Sequence, residues 1–158
     1  MKRRAALKGF VFGAGASCLH LRSGIAANPP LNLNVVVNRN NPINSIDPNR
    51  LYYIFTGSSS TWDNGNRIVV LNLPAGDSVR VAFDRVALHM NPDEVGRFWV
   101  DVRVRGNDRP PRQIPTPEFA MRIVSKLVDA ITYLPVGLIA PDVKIVARVI
   151  NNQVVPIR

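Results

Sequence analysis

Leu51-Tyr52-Tyr53-Ile54-Phe55-Thr56-Gly57-Ser58-Ser59-Ser60-Thr61-Trp62-Asp63-Asn64-Gly65 is the stretch around which the rest of the chain is organised. Leu51, Ile54 and Phe55 fall at i, i+3 and i+4, the spacing that places apolar side chains on one face of a helix. Asp47-Pro48 supplies the start: an Asp that can cap free amides, and a Pro suited to the first helical position. The helix runs into Gly57. Four hydroxyls follow, on Ser58, Ser59, Ser60 and Thr61, before Trp62 and a turn at Asn64-Gly65. Such a loop can hold an oxyanion or can be a plain connector. Trp62 is expected to cap the core.

Toward the N-terminus, residues 39–45 read as a loop and residues 31–38, with Val35-Val36-Val37, as a strand. Residues 1–27 read as an export signal rather than as part of the fold. Lys2, Arg3, Arg4 and Lys8 form a basic head, a short Gly-rich apolar run follows, and small residues lead to cleavage after Ala26 or Ala27. The Arg3-Arg4 pair is of twin-arginine type, although Ala6 stands where Phe is usual. The apolar run is far shorter than the roughly 20 residues a membrane span needs. Cys18 is the only cysteine. A lipoprotein box around it would need Leu at Gly15, so simple cleavage is favoured and residues 28–158 carry no disulfide. Those residues make one domain with a single core.

The chain has 20 Lys+Arg and 11 Asp+Glu, a formal net charge of +9. Lys2, Arg3, Arg4, Lys8 and Arg22 lie within residues 1–27 and none of the acids does, so residues 28–158 set fifteen cations against eleven anions, a net +4. The charge is evenly spread, without the basic stripe and interleaved aromatics of a nucleic-acid surface. All of the fifteen except Lys126 and Lys144 are Arg, which suits bidentate contact with carboxylate or phosphate as well as ordinary ion pairs.

Toward the C-terminus, residues 67–73 read as a second strand and Pro74-Ala75-Gly76 as a turn. A helix is expected from Asp77 or Ser78, with Val79, Ala82, Phe83 and Val86 as its buried stripe. Asn91-Pro92-Asp93-Glu94 opens another with a capping box. Val95, Phe98, Trp99 and Val102 form its apolar face. Glu94, Arg97, Asp101 and Arg105 form a charged face spaced for i+3 and i+4 pairs. Gly106 ends it, and residues 107–115 read as a Pro- and Arg-rich loop in which Arg109 and Arg112 can meet a partner's anionic groups or stay solvated. Thr116-Pro117-Glu118 starts a helix with Ala120, Ile123, Val124 and Leu127 inward. Strands are expected at 130–134 and 143–150, then a turn at Asn151-Asn152 and an edge at 154–158. The alternation is α/β.

Few other chemistries fit. His89 is the only histidine after residue 27, and with Asp93 and Glu94 it offers too few ligands for a hard cation. Ser78 and His89 lie near opposite ends of one expected helix, about 16 Å apart at 1.5 Å per residue, too far for a catalytic triad. No cofactor motif appears. The chain is expected not to be an enzyme.

The opening stretch resembles the "Ile-Phe-x-Gly-Lys-x-x-x-Trp-x-x-Gly" segment of the periplasmic phosphate-binding proteins of ABC transporters. The likeness continues through residues 40–46, Ile68-Val69-Val70, Gly76, Ser78 and Phe83. Phe98-Trp99, Arg103-Val104-Arg105-Gly106, Arg109-Pro110-Pro111 and Ile131-Thr132-Tyr133-Leu134-Pro135 resemble segments of short, single-lobe relatives. The resemblance implies an α/β fold like one lobe of a type II periplasmic binding protein. It implies an exported, periplasmic solute-binding protein with phosphate or another oxyanion as ligand, an ABC permease or envelope protein as partner, and a homodimer as one way to complete a cleft. In the family, phosphate sits on a Ser- and Gly-rich loop at a helix N-terminus, where unpaired amides and the positive dipole end meet it.

The resemblance places a ligand contact at Ser78; Arg80 in the same first turn and the hydroxyls of Ser58, Ser59, Ser60 and Thr61 are further candidates read from the residues themselves. It also breaks in places. Asn72 stands where the family has Arg, and Ser58 where it has Lys. Asp129 and Thr132 replace two glycines. Asp77 at the helix start would repel a dianion while capping the helix well, with Arg80 either binding an anion or neutralising Asp77. These departures open a second reading, in which the lobe has lost its anion site and serves as an interaction module in the cell envelope.

Overall fold

The structure is a computed structural model and describes residues 31–106 and 109–158. Residues 1–27, read above as an export signal, and Cys18 among them lie outside the described residues.

Strand β1 (Leu33–Asn38) is buried along its whole length. Alternate side chains of a strand point to opposite faces. Val35 and Val37 accordingly join one cluster with Phe55, Phe83 and Tyr133, while Val36 joins a second with Leu71, Leu134 and Val124. A strand reads as an unbroken apolar run when helices cover both faces of its sheet. Helix α1 (Pro48–Phe55) and the short α2 (Ser78–Phe83) cover one face; α4 (Pro117–Lys126) covers the other.

β1 lies between β4 (Ala130–Pro135) and β5 (Val143–Ile150), antiparallel to both. β2 (Val69–Asn72) runs parallel to β4 and to the two-residue edge strand β3 (Arg112–Gln113). β6 (Gln153–Pro156) pairs antiparallel with β5, giving the order β3-β2-β4-β1-β5-β6. The β5–β6 turn uses Asn151 and Asn152, both at positive φ, a conformation Asn accepts more readily than most residues.

Four helix starts follow their sequence signals. Asp47, Asp77, Asn91 and Thr116 each accept a backbone N–H of the first turn. Asn91 and Glu94 form the reciprocal capping box of α3 (Pro92–Val104).

The helix after Asp77 departs from expectation. It is α-helical for six residues and then widens into a π-helical turn (Asp84–Leu88), closed by His89 at φ 56°. The wider turn shifts the buried set to Val79, Phe83, Ala87 and Leu88, leaving Ala82 and Val86 half-buried. Leu127, expected on the inner face of α4, is 42% exposed because the helix ends at Lys126 and the chain there is extended. Residues 112–113, read as loop, form β3; Pro110-Pro111 and Pro115 on either side hide so short a strand.

Helix α3 stands apart. It packs extensively against no other element among the described residues. Val95 and Trp99 are its buried residues. The expected i+3 and i+4 ion pairs along its charged face do not form; among the described residues, ion pairs join only Arg50 to Asp63 and Arg80 to Asp84.

Candidate functional site

An open cleft of about 1150 Å³ lies between the end of α1 and the second half of α3. One wall is residues 56–60, continuing into residues 67–70. The opposite wall carries Phe98, Trp99, Val102 and Arg105, with Arg109, Pro110 and Pro111 beyond.

The hydroxyl loop is built on backbone hydrogen bonds. Thr56 ends α1, and its Oγ1 donates to the Tyr52 carbonyl at 2.8 Å. Gly57 follows at φ +80°, a left-handed conformation that costs Gly nothing sterically and ends many helices. The Ser59 amide then donates to the Tyr53 carbonyl at 2.9 Å, and the Ile68 amide to the Ser60 carbonyl at 2.8 Å. Thr61 forms an isolated antiparallel bridge with Arg67. Trp62 seals the far side of the loop: it is buried, and its indole N–H donates to the Asp129 carbonyl at 3.2 Å. Arg50 lies over its ring and grips Asp63 with two bonds of 2.7 and 3.1 Å. Those bonds and the Arg50 charge hold the Asp63 carboxyl below its ordinary range.

Three arginines, Arg67, Arg105 and Arg109, line this cleft, and no Asp or Glu does so among the described residues. Arg presents a planar fork of donors that matches carboxylate and phosphate. The same cleft holds Ser58, Ser59 and Ser60. Ile68 and Trp99 give it apolar flanks that limit water around an ion pair.

Ser78 and Arg80 are not part of it. Ser78 is exposed at the start of α2. Arg80 is 6% exposed and turned inward: its Nε donates to Asp84 Oδ2 at 3.1 Å and its Nη1 to the Leu73 carbonyl at 2.8 Å. Arg80 therefore neither faces solvent nor neutralises Asp77. Asp77 Oδ1 accepts from the amides of Val79 and Arg80 at 2.8 and 3.3 Å, occupying the donors an oxyanion would use at that helix start. Asn72, where the resembling family has Arg, is also buried; its Oδ1 accepts from the Tyr133 hydroxyl and the Leu73 amide. Burial and the Asp84 charge push the Tyr133 hydroxyl far above its ordinary value, so it remains a donor.

Arg67 and Arg105 were missed as candidates from the sequence. Arg67 closes the loop that begins at Gly57, which was a usable cue. Arg105 looked like part of a solvated ladder, and nothing local in sequence shows α3 turning its second half toward the loop. Among the described residues no helix is long and apolar enough to cross a membrane, and no group of three or more His, Cys, Asp or Glu could hold a metal ion.

No protein-family model and no curated protein sequence matches the chain. Solved structures do. An ABC-type phosphate transport receptor from Vibrio cholerae superposes over 73% of this chain and 46% of its own, with a TM-score of 0.58 and 17% identity. A protein from Clostridium perfringens, assigned as a phosphate ABC transporter substrate-binding protein and solved with phosphate bound, superposes over 73% of this chain and 44% of its own, with a TM-score of 0.59 and 16% identity. The chain spans less than half the length of each. It has the α/β fold of a single lobe of the phosphate ABC transporter substrate-binding proteins.

Proposed function

We propose that this chain is an exported, non-enzymatic solute-binding-like protein whose cleft takes phosphate or another small oxyanion. The observation that carries this reading is the cleft lining: Arg67, Arg105 and Arg109 beside Ser58, Ser59 and Ser60, with no carboxylate among the described residues. Guanidinium forks and hydroxyls supply the donors a tetrahedral oxyanion requires. The fold shared with two phosphate-transport proteins supports the same ligand class. In this proposal the anion sits between α1 and α3, and Ser78 and Arg80 serve the fold.

A single open cleft buries less of a small ligand than an enclosed pocket does, so binding is weak until a partner supplies a lid. An ABC permease, another envelope protein or a second lobe-like chain are the partners this role implies, with the periplasm as its site of action. A second reading is an envelope interaction module without an anion site. It is favoured by Asp77 capping its own helix and by the inward packing of Asn72 and Arg80.

The deciding experiment is a calorimetric titration of residues 28–158 with phosphate, with sulfate as control. Saturable binding, accompanied by a rise in melting temperature, supports the first reading. A ligand at a hundredfold excess over Kd stabilises the folded chain by about 2.7 kcal/mol. No heat and no melting shift at millimolar phosphate or sulfate would leave the interaction module.

A further inference from the structure

The face of α3 turned away from the cleft carries a pattern that nothing among the described residues uses. Val100 and Val104 are 58% and 81% exposed. With Gly96 they fall at four-residue intervals, so all three lie on one face of the helix. A groove of about 550 Å³ on this face is lined by residues from Pro92 to Asp101, Gly96 and Val100 among them. Glycine weakens a helix interior relative to alanine, and the fold does not require it here: a Cβ on Gly96 would meet nothing within 4 Å, and its φ is ordinary. A notch that no neighbour among the described residues fills is suited to a neighbour from outside.

The charges beside this seam identify that neighbour. Asp93, Arg97, Asp101 and Arg105 alternate in sign at four-residue spacing, and no ion pair forms among them in the described structure. Read backward, the series is plus, minus, plus, minus. An identical helix laid antiparallel therefore sets acid against base at every step, with Arg97 facing the other copy's Asp101 and the reverse. A two-fold interface is self-complementary by construction.

We infer that α3 forms a homodimer through this outward face, as an antiparallel helix pair in which Val100 and Val104 of each copy pack toward Gly96 of the other. The cleft uses the other side of α3, through Phe98, Trp99 and Val102, and shares only Arg105 with the charged series; Arg97 and Asp101, which form the central pairs, do not line it. The two clefts consequently face away from the interface, and each lid must come from elsewhere. A helix of 13 residues is about 20 Å long, and one such pair buries less than the roughly 1,200 Å² of a stable interface. The dimer is therefore reversible and depends on concentration.

Sedimentation equilibrium of the phosphate-free protein up to about 1 mM tests this. The wild-type chain should show a monomer–dimer equilibrium that weakens with salt. Arg97→Asp alone and Asp101→Arg alone should each weaken it at least about tenfold, because each sets like charges together twice. The double variant Arg97→Asp/Asp101→Arg restores every opposite pair and should return to near the wild-type constant. Gly96→Leu should abolish the dimer while leaving the helical circular dichroism of the monomer intact. A wild-type chain that stays monomeric would overturn the inference, and the face would then belong to a different protein. A dimer indifferent to the single reversals, or a folded double variant that stays monomeric, would overturn it as well. Phosphate binding can be present or absent in any of these outcomes, so the two proposals fail separately.

Discussion

Arg80 and Asp84 form an ion pair of 3.1 Å beneath α2, at 6% and 3% exposure. Asp84 Oδ1 makes no hydrogen bond among the described residues. Taking either charge away leaves the other buried and uncompensated, a loss of about 3–5 kcal/mol. Against a total stability of about 5–15 kcal/mol, Asp84→Leu or Arg80→Met alone should lower the melting temperature by roughly 10–20 °C. Replacing both by apolar groups of similar bulk removes both desolvation costs, and the double variant should lie within about 1 kcal/mol of wild type. Urea denaturation of all four proteins at pH 7 gives the cycle, and phosphate titration of the double variant gives the functional arm. The double should keep whatever phosphate affinity the wild type has, because among the described residues the Arg80 guanidinium bonds only Asp84 and Leu73. Single variants costing less than about 1 kcal/mol would show a solvated pair. A double variant as damaged as the two singles summed would refute the compensation on which the reasoning rests.

Asp77→Ala should cost about 1 kcal/mol in urea denaturation through the lost cap on Val79 and Arg80; no measurable loss would show the cap to be idle. Phe83 stacks on Tyr133 with centroids 3.9 Å apart and lies 4.6 Å from Phe55. Phe83→Ala should cost about 3–5 kcal/mol, and a loss under about 1 kcal/mol would mean that the core refills.

Local chemistry made much of the fold legible. Caps, prolines at first helical positions and apolar spacing located α1, α3 and α4, and valine runs located β1 and β5. These signals lie within a few residues of what they specify. Strand order was not legible, because the place of β1 between β4 and β5 is set by contacts roughly a hundred residues apart, such as Val35 with Tyr133 and Ala147. The π-helical turn at Asp84 was hidden for a related reason: Val86 and Ala87 are both apolar, and only packing decides which turns inward. At the site, the hydroxyl loop was visible as a motif but its basic companions were not. Arg105 is six residues past the last buried residue of α3, Trp99, and joins the cleft only through the tertiary placement of that helix. Arg80 misled in the opposite direction. A first-turn Arg beside a cap suggests an anion contact, although its i+4 spacing to Asp84 was the cue to a buried pair.

The most direct measurement is a set of backbone amide NMR spectra of residues 28–158 recorded through a phosphate titration, with sodium chloride at matched ionic strength as the blank. The account predicts saturable shifts at Gly57, Ser58, Ser59, Ser60, Arg67 and Arg105, and quiet amides at Ser78, Val79 and Arg80. Shifts centred on Ser78 to Arg80 would move the anion to the start of α2. A titration without saturable shifts would remove the anion from this protein's function.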